Sequence, residues 1–271
     1  YHSFEEVYLN NLIVFTGGPG SGKTSVIDAL KSQGYRCAPE VGRKVIQHQV
    51  EQQGSALPWL DKVNALVETW YLGSMTGYGI ADVISGDVNP SGKLPFTFPA
   101  KLEDNGAHFF GETSYPGVNL TQEYKEDILV GYRWHDTKKI KPLYAFGYGM
   151  SYTSFAISDI KSNKKKYNKG ETINISCSVK NTGDMKGSEV VQVYIGKPNS
   201  KVKRAIKELK GFNKVNVAQG ETKKLNVSID VDNLAFYDES ISDWNLEKGH
   251  YNVYVGNASN NISKTIKIKI E

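Results

Sequence analysis

Residues 157–271 alternate apolar and polar side chains with the period of two that sends successive side chains to opposite faces of a strand. Ile173, Ile175, Cys177 and Val179 alternate, as do Leu225, Val227, Ile229 and Val231, and Ile262, Ile266, Ile268 and Ile270 continue the pattern with one skip. Turn-forming stretches separate these runs: NTGD at 181–184, AQGE at 218–221 and EKGH at 247–250. Their Gly, Asn and Asp residues supply the backbone conformations that chain reversals need. The spacing predicts a two-sheet β-sandwich of about seven strands.

The first 155 residues have a different rhythm. Residues 11–16 (NLIVFT) form a short apolar, β-branched run that predicts a strand, and after a glycine-rich stretch Val26, Ile27 and Leu30 share one side of a predicted helix. Val63, Leu66, Val67 and Trp70 predict a second helix, and Ile80, Val83 and Ile84 a third after another glycine-rich step. In residues 94–99 (LPFTFP), Leu94, Phe96 and Phe98 alternate beside prolines, which suits an edge strand because proline has no N–H for a ladder. This part reads as an alternating α/β layer.

Composition bounds the picture. The chain has 271 residues, enough for about two domains. With 39% hydrophobic and 23% charged residues it is a folded chain rather than a disordered one. No apolar run approaches the roughly 20 residues of a membrane-spanning helix, so no membrane partner is expected. The net charge of +4 is unevenly spread. Residues 156–271 hold 20 Lys+Arg against 13 Asp+Glu, or +7, which leaves −3 for residues 1–155. Lysines cluster at 161–166 and 201–210, but Lys264, Lys267 and Lys269 occupy the polar positions of an alternating strand. The reading is therefore a solvated sandwich face, with no nucleic-acid partner. Cys37 and Cys177 are too far apart in sequence to suggest a metal or redox motif. The chain opens on Tyr1 without a leader pattern, and its localisation and oligomeric state are not legible. Five Asn-x-Ser/Thr triplets, from Asn119, Asn174, Asn226, Asn257 and Asn261, carry little weight in so Asn-rich a chain.

The first candidate chemistry is a phosphate cradle. Gly17, Gly18, Pro19, Gly20, Ser21, Gly22, Lys23 and Thr24 satisfy GxxxxGK[ST], follow a predicted strand and, with Ser25, open a predicted helix. Glycines let several N–H groups converge on an anion, and the helix N-terminus adds a favourable dipole. Lys23 would reach the terminal phosphates and Thr24 would hold Mg²⁺, making Mg-ATP the cofactor this motif implies. The segment resembles small AAA-type P-loop ATPases and kinase-like proteins, in which a Gly-Tyr step leads into PExxRxxI; here these are Gly34, Tyr35, Pro39, Glu40, Arg43 and Ile46. No later strand ending in a metal-organising Asp is recognisable. The unit reads as incomplete, and NTP hydrolysis is not expected.

A second resemblance covers roughly 215 residues. Trp70, Tyr71, Gly73, Gly77, Ala81, Asp82, Val83 and Gly86, then NPSGKLP from Asn89 to Pro95, resemble the C-terminal half of the α/β-sandwich domain of family 3 glycoside hydrolases. That family includes β-glucosidases and β-xylosidases. Tyr124, Gly131, Tyr132, Arg133, Trp134 and Asp136 resemble its YxExxxVGYRYFD stretch. Pro142, Leu143, Phe146, Gly147, Gly149, Ser151, Tyr152 and Phe155 resemble its PLFPFGxGLSYTxF stretch. The last part, with EVVQVYI from Glu189 and later Trp244, Gly249, Tyr251, Val255 and Gly256, resembles the fibronectin type III-like domain of many such enzymes. The fold class implied is α/β plus all-β. A truncated P-loop β-loop-α segment occupies residues 1–55, a partial α/β-sandwich layer residues 56–155, and an immunoglobulin-like sandwich residues 156–271.

The function implied is that of the C-terminal portion of a β-glucosidase-like hydrolase acting on O-glycosyl bonds of a carbohydrate partner without a cofactor. Retaining glycosidases use two carboxyl groups about 5 Å apart. The resemblance places the nucleophile on a barrel of about 250 residues, and the acid/base Glu upstream of the ALPW stretch at 56–59, where this chain carries the P-loop text. No catalytic residue is therefore assigned. The SDW of residues 242–244 reads as a strand edge rather than a nucleophile motif. Tyr132, Trp134, Tyr144, Phe146, Tyr148 and Tyr152 either line a sugar subsite or pack against the next domain, and packing is the favoured reading. Two other functions fit: a P-loop ATP-binding protein fused to a β-sandwich, and a non-catalytic carbohydrate-binding module.

Overall fold

A computed structural model of the chain describes residues 13–16, 23–34, 65–70 and 76–271. The chain divides into two compact units, Tyr1–Val88 and Asn89–Glu271.

In the first unit, strand β1 (Ile13–Thr16) lies parallel to β2 (Ala65–Glu68), with Ile13 opposite Ala65 and Thr16 opposite Glu68. Helix α1 (Lys23–Ser32) lies between these strands in sequence. Its Val26 and Leu30 share a small buried cluster with Ile80 and Ala81 of helix α2 (Thr76–Ser85). Helix α2 stops at Gly86, whose φ of +87° is a left-handed conformation that costs glycine little. The helix expected from Val63, Leu66, Val67 and Trp70 is instead the strand β2. A short apolar run is ambiguous by periodicity alone, and here the parallel ladder to β1 decides it.

The second unit begins with an irregular stretch. It contains one 3₁₀ turn (Leu102–Asp104) and two short helices, α3 (Gly106–Phe109) and α4 (Tyr132–Lys138). The edge strand expected at residues 94–99 is reduced to one bridge, Phe98 to Tyr144. Leu94 and Phe98 exchange backbone hydrogen bonds with residues 143–148, but Pro95 cannot extend the ladder between them.

The sandwich follows the alternation. Its strands are β3 (Phe155–Ser162), β4 (Lys166–Tyr167), β5 (Thr172–Asn181), β6 (Gly187–Gly196), β7 (Glu208–Val217), β8 (Thr222–Asp230), β11 (Gly249–Ala258) and β12 (Asn261–Ile270). A separate hairpin pairs β9 (Phe236–Asp238) with β10 (Asp243–Asn245). One sheet of the sandwich has the order β3-β5-β8 and the other β4-β12-β11-β6-β7. These are eight strands rather than about seven, the extra one being the two-residue β4. Ile173, Ile175, Cys177 and Val179 of β5 and Leu225, Val227 and Ile229 of β8 meet Val191, Val193, Tyr251, Val253, Val255, Ile268 and Ile270 in one dry core. Burial of these alternating side chains, at about 25 cal/mol per Å² of apolar area, is the main stabilising contribution. Among the described residues no helix is long and apolar enough to cross a membrane.

Candidate functional site

Of the phosphate-cradle residues, Gly17, Gly18, Pro19, Gly20, Ser21 and Gly22 lie outside the described residues. Lys23, Thr24 and Ser25 form the first turn of α1.

The best-defined polar arrangement is in the second unit, and it is built from the NPSGKLP, PLFPFGxGLSYTxF-like and EVVQVYI stretches. The NPSGKLP turn meets the start of β6. Lys93 Nζ lies 2.7 Å from Glu189 Oε1, with side chains only 14% and 6% exposed. Asn257 Nδ2 donates to the other Glu189 oxygen at 2.9 Å, and Lys93 also donates to the Gly149 carbonyl at 3.1 Å. Both charges are thus paired and further hydrogen-bonded, the condition for tolerating burial. Asn89 works alongside: its side-chain carbonyl accepts from Ser151 Oγ at 2.8 Å and from Tyr152 N at 2.9 Å, and its amide donates to the Lys186 carbonyl at 3.1 Å. A polar cavity of about 350 Å³ lined by Lys93, Tyr148, Gly149, Asn257, Asn260 and Asn261 opens beside this pair.

A second cluster surrounds α4. The Tyr132 ring stacks on Phe146 at 4.7 Å and meets Tyr194 of β6 edge-on at 5.8 Å. Its hydroxyl accepts from Leu209 N at 2.9 Å. Leu209, paired in register with Tyr194, adjoins a register shift between β6 and β7 at which Lys210 is the extra residue. Gln192 bridges further, donating to the Gly147 carbonyl at 3.0 Å and to the Asn257 carbonyl at 2.7 Å, while the Tyr194 hydroxyl donates to its side-chain oxygen. Gly147 has a φ of +78°, and a Cβ there would collide with the Gln192 amide. Burial pushes the Tyr132 and Tyr194 phenols up, so both remain neutral donors and acceptors at physiological pH.

Asp136 pairs with Lys207, which is 8% exposed. Burial holds the Asp136 carboxyl above the usual carboxylate range despite the partly opposing Lys207 ammonium. Arg204 donates to the Leu234 carbonyl at 2.8 Å and lies 3.6 Å from Glu247. The basic run at 201–210 is therefore not uniformly a solvated face, since Arg204 and Lys207 turn inward to carboxylates. Strand alternation has no means of revealing this, because the partners lie on distant segments. The run at 161–166 is exposed, with Lys164 paired to Glu171 and Lys166 to Glu271.

The aromatic residues divide. Tyr132 and Trp134 are buried and Phe146 packs against Tyr132, as the packing reading expects. Tyr148 and Tyr152 remain exposed. Asp243 and Trp244 lie on the exposed hairpin strand β10, so the SDW stretch does sit on a strand edge. Among the described residues no group of His, Cys, Asp and Glu is arranged to hold a metal ion.

These contacts bring the NPSGKLP, PLFPFGxGLSYTxF-like and EVVQVYI residues together where the irregular segment meets the β-sandwich. Residues 36–152 match the glycosyl hydrolase family 3 C-terminal domain, and residues 189–259 match the fibronectin type III-like domain. The chain carries both domains and corresponds to the C-terminal portion of β-glucosidase-like proteins of family 3.

Among curated relatives, beta-glucosidase BoGH3A of Bacteroides ovatus is 41% identical over 272 residues, covering 97% of this chain and 36% of its own length. A beta-glucosidase of Kluyveromyces marxianus is 45% identical over 228 residues, covering 82% of this chain and 26% of its own. Among solved structures, DesR, a beta-glucosidase from Streptomyces venezuelae in complex with D-glucose, superposes with a TM-score of 0.74 at 37% identity over 79% of this chain and 27% of that one. A Bifidobacterium adolescentis GH3 beta-glucosidase reaches 0.76 at 30% identity over 98% of this chain and 40% of that one. The chain spans about a third of the first of these relatives, 36% of its length.

Proposed function

We propose that this chain is the non-catalytic C-terminal portion of an enzyme that hydrolyses O-glycosyl bonds of β-glucosides, supplying scaffold and no catalytic carboxylate. The observation that carries this reading is the Lys93–Glu189 pair. It joins the most family-specific stretch of the irregular segment to the start of β6 and so fixes that segment on the sandwich. Three carboxylates of the second unit are engaged structurally: Glu189 by Lys93 and Asn257, Asp136 by Lys207, and Glu247 by Ser200, Lys201 and Arg204. Each is thereby held in place by its partners.

A graft tests this reading. Residues 89–271, a compact unit with its own core, would replace the aligned segment of the Bacteroides ovatus relative. Retained turnover of an aryl β-glucoside is the expected result. A folded but inactive graft would count against it.

One further reading rests on the GxxxxGKT motif between β1 and α1. If the segment binds Mg-ATP, Lys23 would hold the phosphates and Thr24 the metal ion. Mg-ATP would then raise the unfolding midpoint of the chain, and Lys23→Ala would abolish the shift. No shift in the unsubstituted chain would dismiss nucleotide binding.

A further inference from the structure

The cavity beside the Lys93–Glu189 pair is lined by groups that a scaffold role leaves unused. Its volume of about 350 Å³ lies within the range of small-molecule sites. A chain of contacts fixes its wall. Lys93 Nζ donates to the Gly149 carbonyl at 3.1 Å and pairs with Glu189. Asn257 Nδ2 donates to Glu189 at 2.9 Å, and Asn261 Nδ2 donates to Asn257 Oδ1 at 2.8 Å. Ser259 N donates to the Phe146 carbonyl at 2.9 Å, which clamps the turn between β11 and β12 onto the segment that carries Tyr148 and Gly149. The lining is therefore in place before any ligand arrives, which lowers the ordering cost of binding.

Charge and hydrogen-bonding capacity narrow the ligand. Among the described residues of the lining Lys93 alone is charged, and Glu189 neutralises it. An anion gains little there, because the ammonium already has its counter-ion. What the lining offers is uncharged: the exposed Asn260 amide, the Asn261 side-chain oxygen left over from its bond to Asn257, and the Tyr148 hydroxyl. These three make no hydrogen bond among the described residues. Amides and a phenol both donate and accept, as a sugar hydroxyl requires of its partners. Tyr148 also supplies an apolar surface. Its ring is 38% exposed and is oriented by stacking on Tyr144, with centroids 5.9 Å apart. A pyranose, with hydroxyls around an apolar ring face, uses both features together. An extended peptide fits less well, since the cavity lies at the β11–β12 turn, where Ala258 and Asn261 already pair with each other and offer no ladder to extend. We infer that this cavity binds a neutral pyranose sugar, its apolar face on the Tyr148 ring and its hydroxyls on Asn260 and Asn261. The inference concerns the chain by itself and stands apart from the proposed hydrolase role.

Titration of the isotope-labelled full chain with methyl β-D-glucopyranoside, whose ring substituents are all equatorial, tests it through amide chemical shifts. Saturable shifts with millimolar affinity are expected at Tyr148, Gly149, Asn260 and Asn261 and in the Asn260 side-chain amide. Tyr148→Ala should abolish saturation. Asn260→Ala should weaken binding about threefold to tenfold, the loss of one or two neutral hydrogen bonds. Both side chains are exposed, and unshifted core amides such as Val193 and Val253 verify that each variant is folded. If Tyr148→Ala does not fold, Asn260→Ala decides alone. Linear shifts no larger than those from glycerol at equal hydroxyl concentration overturn the inference, as does saturation centred elsewhere or binding that is unaltered in the variants. Tighter saturation of the same residues by sulfate or by a blocked dipeptide would give the cavity to an anion or to a peptide, and overturns it equally.

Discussion

Lys93 and Glu189, 96 positions apart in sequence, form a 2.7 Å ion pair with both side chains largely out of water. Asn257 on β11 holds the carboxylate from its other oxygen. Removing one member leaves the other charge buried without its counter-ion, which costs about 3–5 kcal/mol. Lys93→Met should therefore lower the stability of the chain by that amount in urea unfolding, with little change in slope. The double variant Lys93→Met, Glu189→Gln should recover a substantial part. Equal loss in both would show that packing, not charge pairing, holds the junction.

Tyr132→Phe isolates a single hydrogen bond. Its hydroxyl accepts the Leu209 N–H at the register shift between β6 and β7. The phenylalanine ring preserves the stacking on Phe146 but removes the acceptor from the Leu209 N–H, a loss of about 1–3 kcal/mol. Amide exchange at Leu209 should accelerate more than at neighbouring β7 residues. Unchanged exchange there would remove the hydroxyl from the account.

The junction is only partly legible in the amino-acid sequence. Alternation marks the long strands β5, β8 and β12 almost position for position, because each buries one face against a continuous core. The short elements are harder. Residues 65–68 become a strand because β1 offers a parallel edge, a partner that a local pattern does not contain. Lys207 lies within an apparently solvated basic run, yet it is buried because Asp136 reaches it from a segment 71 positions away. Asn89, Lys93, Gly147 and Gly149 stand out by family resemblance alone. Their physical reason, contact with Lys186, Glu189 and Gln192 or with one another, is tertiary.

Asp136 makes stability depend on pH. Burial raises its folded-state pKa above the unfolded value, with Lys207 acting in the opposite direction. Between those two values the folded chain binds more protons than the unfolded chain, so this carboxyl's contribution falls as pH rises. Relative to Asp136→Asn, the unsubstituted chain should lose stability as pH rises from the ordinary carboxylate value of about 4 toward Asp136's raised one. A difference that grows with pH would mean that Lys207 dominates the site.

Cys177 lies in the sandwich core, where burial pushes its thiol up to about 11. The thiolate is the reactive form, so almost none is present at neutral pH. In a Cys37→Ser background, a thiol reagent at about pH 8 should label the folded chain only as fast as the chain opens, and the unfolded chain at once. Rapid labelling of the folded form would contradict the packing of β5 against the opposite sheet.

The most direct measurement is release of nitrophenol from an aryl β-glucoside by the purified 271-residue chain. The account predicts no turnover above the uncatalysed blank, because the chain supplies the junction and the sandwich but neither catalytic carboxylate. Turnover that persists through purification to homogeneity would contradict it, and would place the catalytic groups within this chain.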